Sequence, residues 1–537
     1  MTTDLPAYVD RLTMTTDLSA YVDRLRSGEA PQFPPEADTL AFARRLDEQD
    51  KLRHLRDEFL LPTKASLKKR ALDGSLPAQN SDRQRLTTLG PAQNSDRQRL
   101  TTLGSAQNSS TPNSHPDGQD DDEQAIYFVG NSLGAQPRAV RRHVDAQLET
   151  WASLGVNGHF TDMANSPLAQ WQDLAESCAR ASAAIVGCSA QEVVVMNTLT
   201  VNLHLMMASF YRPDARRHKV LLEARPFPSD HYAIESQVRW HGLDPARSMV
   251  KLEPAAGSAL VPTEQVLRAI DEHADDAALL LLPGIQYYSG QLFDVPAITA
   301  HARARGIVVG WDLAHAAGNV ELRLHDWGVD FACWCTYKYL NAGPGAIAAA
   351  FVHERHGGVE WAVRRDSSSS STPVYRPRLA GWYGGDKSVR FDMDSLFVPT
   401  PGAAGFQLSN PSALDLASLA AALSVFAKTS MRDLRSKALV LTAYAEHLLH
   451  RILARAPAKG PPLFRLLTPS DPSQRGSQLS ILLREGLLEA VAAALEDNGV
   501  ACDKRKPDVI RIAPVPLYCS FEDVWNFMQI FRGALEL

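Results

Sequence analysis

Cysteine is scarce in this chain. Six residues among 537 (Cys178, Cys188, Cys333, Cys335, Cys502 and Cys519) are thinly spread and lie mostly in apolar contexts. None shows the spacing of a zinc ligand set, so no metal is expected, and the thiols read as reduced and buried rather than as a disulfide framework. An excess of charge of one sign is also missing. The 55 Lys+Arg against 61 Asp+Glu leave a net charge of −6, which offers no footprint for nucleic acid or an anionic membrane. No uninterrupted apolar run approaches the ~18 residues that a membrane span needs. The opening MTTDLPAYVDRL has neither the basic region nor the apolar core of a signal peptide, so a cytoplasmic location is expected. With 45% hydrophobic and 22% charged residues the composition is that of an ordinary globular protein, and the length suggests two or three domains.

Two internal repeats stand apart from the rest. MTTDLPAYVDRL at 1–12 recurs as MTTDLSAYVDRL at 14–25, and PAQNSDRQRLTTLG at 77–90 recurs unchanged at 91–104. Neither offers the three stacked apolar units that a solenoid needs, so both read as recent duplications, with Met14 a rival start to Met1. Residues 72–122 are rich in Ser, Asn, Gln and Asp and free of aromatics, the composition of a disordered insertion. A smaller polar insertion, RRDSSSSST, occupies 364–372. The domain plan is therefore an N-terminal helical segment at 1–71, the insertion at 72–122, a large domain at 123–399 and a small one at 400–537.

Within the large domain, apolar runs alternate with amphipathic stretches. VVVMNTL from Val193, KVLLEA from Lys219, ALLLLPGI from Ala278, IVVGWDLA from Ile307, FACWCTY from Phe331 and AIAAAFV from Ala346 read as strands. AVRRHVDAQLETWASL, TVNLHLMMASF, SDHYAIESQVRW and TEQVLRAIDEHA carry helical spacing. Continuous apolar strands with helical crossovers define an α/β class with a mainly parallel sheet. After about Thr400 the pattern turns to helices (LASLAAALSVFAKT, LLEAVAAALEDNG, VWNFMQIFRGAL) with a few short strands, a smaller α+β domain.

The run from Phe331 to Leu340 reads as one strand, with Lys338 its only charge. Strict alternation would set Tyr337 and Lys338 on opposite faces. A lysine near a strand end usually snorkels to water, and the competing outcome is a deprotonated amine nucleophile. Ligand sites in open α/β sheets lie beyond the carboxyl ends of the strands. At those ends stand Thr200 at a helix start, the Phe227-Pro228-Ser229-Asp230 turn, Asp312 with His315, and Lys338. Taken singly, Asp312 fits a strand-end cap, His315 a core histidine and Thr200 an N-cap. Together they provide what pyridoxal phosphate requires: an amine for its aldehyde, a carboxylate for its pyridine nitrogen, and anion-binding groups for its phosphate.

The motifs are specific enough for a family. YFVGNSLG from Tyr127, GVNGHF from Gly155, MNTLTVNLH from Met196, FPSDHYAIESQ from Phe227, GWDLAHAAGN from Gly310, DFACWCTYKYLNAG from Asp330, LAGWYG from Leu379, SNP from Ser409 and RIAPVPLY from Arg511 closely resemble the kynureninases, fold-type I pyridoxal-phosphate hydrolases. The resemblance runs from about Leu18 to the C-terminus, outside the insertions. It implies that Lys338 is the Schiff-base lysine, that Asp312 faces the pyridine nitrogen with His315 beside it, and that Tyr337 is the acid which protonates the β-carbon. The last role requires the strand to have ended by Tyr337. Leu199, Thr200, Phe227, Pro228, Ser229, Asp230, Tyr337, Trp382 and Asn410 would line the cofactor, some from across a homodimer interface. Arg511 would clamp the substrate α-carboxylate, with His159, Ser409 and Asn410 at its aromatic end. Pro283 stands near a position where some relatives carry a hydroxyl, which removes one phosphate contact.

The reaction so implied is hydrolysis of L-kynurenine or 3-hydroxy-L-kynurenine to alanine and an anthranilate, in tryptophan degradation and NAD biosynthesis. A cysteine desulfurase or an aminotransferase would share the lysine and aspartate. The desulfurase would also need a nucleophilic cysteine in a mobile loop, and none of the six sits in an obvious Gly/Ser loop. A non-catalytic scaffold is the reading from a different class, and the intact lysine, aspartate and arginine argue against it.

Overall fold

Seven aliphatic runs pair into one sheet in the computed structural model, which describes residues 17–70, 72, 123–363, 371–393, 395–455 and 460–537. The first repeat copy, residues 73–122 and 364–370 lie outside that range. The chain divides into one unit of Met1–Leu60 with Ile126–Leu537 and a second of Leu61–Ala125. In the second, the helix Lys64–Lys68 opens on a reciprocal Thr63/Ser66 capping box, and Lys64 Nζ lies 2.6 Å from Glu123.

In the larger unit the second repeat copy forms helix α1 (Leu18–Arg26), capped by Asp17, whose Oδ1 accepts from the amide and hydroxyl of Ser19 at 2.9 and 2.8 Å. Helix α2 (Leu40–Gln49) follows. The central helices are α3 (Ala139–Leu154), α4 (Trp171–Val186), α5 (Leu199–Phe210), α6 (Pro228–Trp240), α7 (Thr263–Glu272) and α8 (Val295–Ala304). The amphipathic spacing of 139–154 predicts α3 to the residue. Strands β1 (Val193–Val195), β2 (Lys219–Glu223), β3 (Met249–Leu252), β4 (Ala277–Pro283), β5 (Val308–Asp312), β6 (Phe331–Trp334) and β7 (Ala349–Val352) form the sheet in the order β1-β7-β6-β5-β4-β2-β3. Strand β7 runs antiparallel to both its neighbours, and the other four pairings are parallel. The sheet is thus mainly parallel, as its continuous apolar strands require. Val194, Leu222, Leu279, Phe331 and Ala350 share a core with Leu203, Met206 and Phe210 of α5. Each large side chain fully buried there contributes about 1.5–3 kcal/mol.

Three expectations change. The run 331–340 is not one strand: β6 ends at Trp334, because β5 ends opposite Cys333 and β7 begins opposite Trp334, leaving residues beyond with no ladder. Likewise β1 stops at Val195, and Asn197 enters the left-handed region (φ 49°) before α5 begins. Ser371 and Thr372, assigned to a polar insertion, lie in strand β9 (Ser371–Tyr375), which forms a hairpin with β8 (Val359–Val363). Edge strand β3 escapes the sequence reading because MVKL is short and leaves Lys251 exposed.

Beyond residue 400 stand α9 (Ala413–Phe426), α10 (Met431–Arg455), α11 (Leu488–Asp497) and α12 (Phe521–Ala534). A four-stranded antiparallel sheet accompanies them, with strands β10 (Phe464–Leu466), β11 (Leu479–Leu483), β12 (Asp503–Arg505) and β13 (Val509–Ile512) in the order β10-β11-β13-β12. Among the described residues no single helix is long and apolar enough to cross a membrane.

Candidate active site

Four parallel strands and the turn after β6 converge on one cavity of about 140 Å³. Its walls are the carboxyl ends of the strands and the segments that follow: Thr198, Leu199 and Thr200 after β1; Glu223 at the end of β2, then Phe227, Ser229 and Asp230; Pro283 at the end of β4, then Ile285 and Tyr287; Asp312 at the end of β5, then Ala314 and His315; and Tyr337 and Lys338. Because the chain has left the sheet by residue 335, Tyr337 and Lys338 both reach the cavity, which strict strand alternation would forbid. Lys338 Nζ lies 5.8 Å from the Phe227 ring centroid and 5.9 Å from that of Tyr337.

The turn that carries Lys338 is held from several sides. Gly134 N donates to Tyr337 O at 2.8 Å, Asn341 N to Lys338 O at 3.0 Å, and Ala342 N to Thr336 O at 3.0 Å. Asn341 takes φ 61°, which an asparagine tolerates better than most residues. Gly310, two residues before Asp312, is a glycine because a Cβ there would run into the Phe331 ring.

The hydroxyls of Thr200 and Ser229 lie 2.7 Å apart, one in the first turn of α5 and the other in the first turn of α6. Free backbone N–H groups and the positive dipole ends of two helices therefore meet at one point, an anion seat. Opposite charges line the other wall. Asp312 is buried and its Oδ1 accepts from Ala314 N at 2.8 Å. Burial, then the charge and hydrogen bond of Asp312, push the buried Asp230 carboxyl well above its usual range. Burial, then the Lys338 ammonium, push His315 well below its ordinary value, and the imidazole is neutral with Nδ1 unpartnered. Burial likewise raises the Tyr337 phenol, which stays protonated.

Of the site residues expected from sequence, Leu199, Thr200, Phe227, Ser229, Asp230, Asp312, His315, Tyr337 and Lys338 line this cavity, and Pro228 opens α6 beside it. Arg511 lies just outside. Fully buried on β13, its guanidinium contacts Asp503 and donates to Tyr287 O at 2.5 Å and to Ser132 Oγ at 3.1 Å, while Nε has no partner. Four further residues are not among the cavity's lining in this single chain. His159 Nε2 and Asn410 Nδ2 sit 3.4 Å apart, next to Ser409, and Trp382 is half exposed with its Nε1 donating to Arg390 O at 3.0 Å. Glu223 was missed, although it ends β2 as Asp312 ends β5. The strand-end rule that picks out Asp312 applies to it equally.

A mainly parallel sheet with a lysine, an aspartate and a two-helix anion seat at its carboxyl edge is the architecture of the fold-type I pyridoxal-phosphate enzymes. The unpartnered His315 Nδ1 and the hydroxyl pair are the groups such a cofactor satisfies, so the residues fit it. The chain belongs to the kynureninase family: it is 62% identical over 513 residues to Kynureninase 1 of Neurospora crassa, covering 95% of this chain and 98% of the relative. Kynureninase of Pyricularia oryzae is 56% identical over 509 residues, covering 94% of this chain and 96% of that protein. Residues 434–531 match the model of the kynureninase C-terminal domain, and 126–359 match that of aminotransferase class V. Among solved structures, an apo cysteine desulfurase from Thermococcus onnurineus superposes with a TM-score of 0.59 at 16% identity, over 77% of this chain and 95% of that one. A complex of the cystine C-S lyase C-DES with cysteine persulfide gives 0.57 at 18% identity, over 76% of this chain and 97% of that one. At such identities these two share the fold alone.

Proposed function

We propose that the chain hydrolyses L-kynurenine and 3-hydroxy-L-kynurenine to alanine and anthranilate or 3-hydroxyanthranilate, a step of tryptophan degradation and NAD biosynthesis. The observation that carries this reading is the placement of Lys338, Asp312 and the Thr200/Ser229 hydroxyl pair on the walls of one cavity, in a chain 62% identical to a kynureninase.

Bound pyridoxal phosphate supplies an electron sink that makes the substrate's α- and then β-carbon carry negative charge. The rest falls to the chain. Lys338 would hold the aldehyde and, when its amine is free, would take the Cα proton at Nζ. Asp312, hydrogen-bonded to Asp230, would face the ring nitrogen. Thr200, Ser229 and the amides of both helix starts bind the phosphate. A water would add to the γ-carbonyl and supply the hydroxyl of the departing anthranilate carboxyl, and Tyr337, kept protonated by burial, would give its proton to the β-carbon as the carbon–carbon bond breaks. Arg511 offers its unpartnered Nε–H to the α-carboxylate.

The residues left outside the cavity fit a homodimer. His159 and Trp382 border an exposed aromatic patch in which Phe391 lies 5.7 Å from Phe160 and 5.4 Å from Trp382, centroid to centroid, with Met393 exposed nearby. A second copy seated on that patch buries it and brings His159, Trp382, Ser409 and Asn410 to its own cavity. The large and small domains meet near residue 400, and the cytoplasm is the compartment that suits the thiols.

Anthranilate fluorescence tests the reaction. The cofactor-loaded protein mixed with L-kynurenine, and separately with the 3-hydroxy form, is expected to release the aromatic amine and alanine in equal amounts, and Lys338→Ala to release none. Cofactor bound without product from either substrate would overturn the assignment.

A further inference from the structure

The cavity holds one acid more than the reaction uses. Lys338 is the one cation among its lining residues, and His315 is neutral, yet three carboxyls face it: Glu223, Asp230 and Asp312. Asp312 has the ring nitrogen to face and Asp230 shares a hydrogen bond with Asp312. Glu223 has neither. It ends β2, is buried to 5% exposure, and its Oε1 has no partner in the protein. The Gln286 side-chain amide hydrogen-bonds to the carboxyl, and Gln286 is itself pinned: its Oε1 accepts from Tyr288 N at 2.7 Å and Ser289 N at 2.8 Å, and its Nε2 donates to Arg225 O at 3.1 Å. Strand β4 separates β2 from β5, and its end residue Pro283, opposite Asp312, has no N–H to give. A buried, oriented and unsatisfied acid is costly, and such costs concentrate where a ligand completes the group.

We propose that Glu223 is a positioning residue for the nitrogen end of pyridoxal phosphate: its buried carboxyl, with Oε1 unpartnered on the same cavity wall as Asp230 and Asp312, is a hydrogen-bonding group that the seated cofactor completes. Ionised carboxyls sharing one buried cavity repel each other, which favours a proton on the more deeply buried members. Asp230 and Glu223 are the two pushed upward. The groups facing Glu223 are Asp230 from α6, Asp312 from β5, Lys338 from the turn after β6, and Gln286 and Tyr287 after β4. Burial, helped by the nearby Asp312, outweighs the Gln286 hydrogen bond that favours the ionised form and raises the Glu223 carboxyl from an ordinary 4.5 to about 8, so it is mostly neutral at pH 7.

The inference rests on Asp312 facing the ring nitrogen, and the test separates the two claims. Affinity for pyridoxal phosphate is measured by titrating the apoprotein at pH 7 for wild type, Glu223→Gln, Glu223→Leu and Asp312→Asn, with melting temperatures of each apoprotein from pH 5 to 9. Glu223→Gln imitates the neutral acid and is expected to bind within about twofold of wild type. Glu223→Leu fills the space without a donor and is expected to bind at least tenfold more weakly while melting no lower than wild type. A folded-state pKa raised above the unfolded one makes an acid lower stability as pH climbs from about 4.5 to about 8, with no further change above. The Glu223→Gln apoprotein should therefore gain on wild type across that window and then hold its lead. Equal affinity in Glu223→Leu and wild type, or a loss in Glu223→Gln as large as in Glu223→Leu, would overturn the proposal. Asp312→Asn binding as tightly as wild type would instead overturn the assignment of the nitrogen's partner.

Discussion

Gly134 belongs to the GNSLG motif, more than two hundred residues before Lys338, yet the two meet. Its amide donates to Tyr337 O, and a Cβ at this position would collide with the Lys338 carbonyl and the Asn341 side chain. The glycine thus sets how closely the loop after Tyr127 can dock on the turn that aims the lysine. Gly134→Ala is expected to fold, because the collision is local, and to lose about 10²-fold in kcat, the scale expected when a reacting group is displaced by about 1 Å. Turnover beside a far-UV spectrum checks this, and an alanine variant with wild-type kcat would refute the role. Lys338, Asp312 and His315 were legible in the sequence because each follows an apolar run. Arg511 and the residues around it were legible only through family motifs, since no local pattern links β13 to a turn more than 170 residues earlier.

At the scale of elements, the least forgiving contact is between α10 and the end of α2. Lys437 Nζ lies 2.7 Å from Asp50 Oδ2, with both side chains almost fully buried. Removing one partner strands the other charge, so Lys437→Met is expected to cost about 3–5 kcal/mol. The double variant Lys437→Met/Asp50→Leu should recover most of that loss. Urea unfolding of the three proteins checks it. The helices with a clean polar face, such as α3 and α7, were readable from periodicity. Helix α10 was not, because Ala, Leu and Tyr surround much of its middle and the pattern has no wet side. Strand ends were misjudged for a different reason. Where β6 stops is decided by where β5 and β7 run out of partners, and chain composition from Cys335 to Leu340 carries no trace of that.

For the whole molecule, the exposed patch of Phe160, Trp382, Phe391 and Met393 is the face proposed above to seat a second copy. The double change Trp382→Asp/Phe391→Asp puts two charges where a second copy would seat. It is expected to shift the particle from dimer to monomer at micromolar concentration in sedimentation, with helical content unchanged. It should also lower cofactor affinity if Trp382 serves the other copy's cavity. An unchanged sedimentation coefficient would place the interface elsewhere.

The scarcity of cysteine has a practical side once the burial of the six thiols is known. Cys178, Cys333, Cys335 and Cys519 are buried, and Cys188 and Cys502 are only partly accessible. Burial raises the pKa of every one of them, to about 12 for Cys178 and Cys502. Since the thiolate is the nucleophile, the native protein is nearly silent toward maleimides and methanethiosulfonates at neutral pH. One cysteine placed on an exposed turn thus becomes a unique attachment point for a fluorophore or spin label, and a label distance can be read without first stripping the natural thiols from the chain.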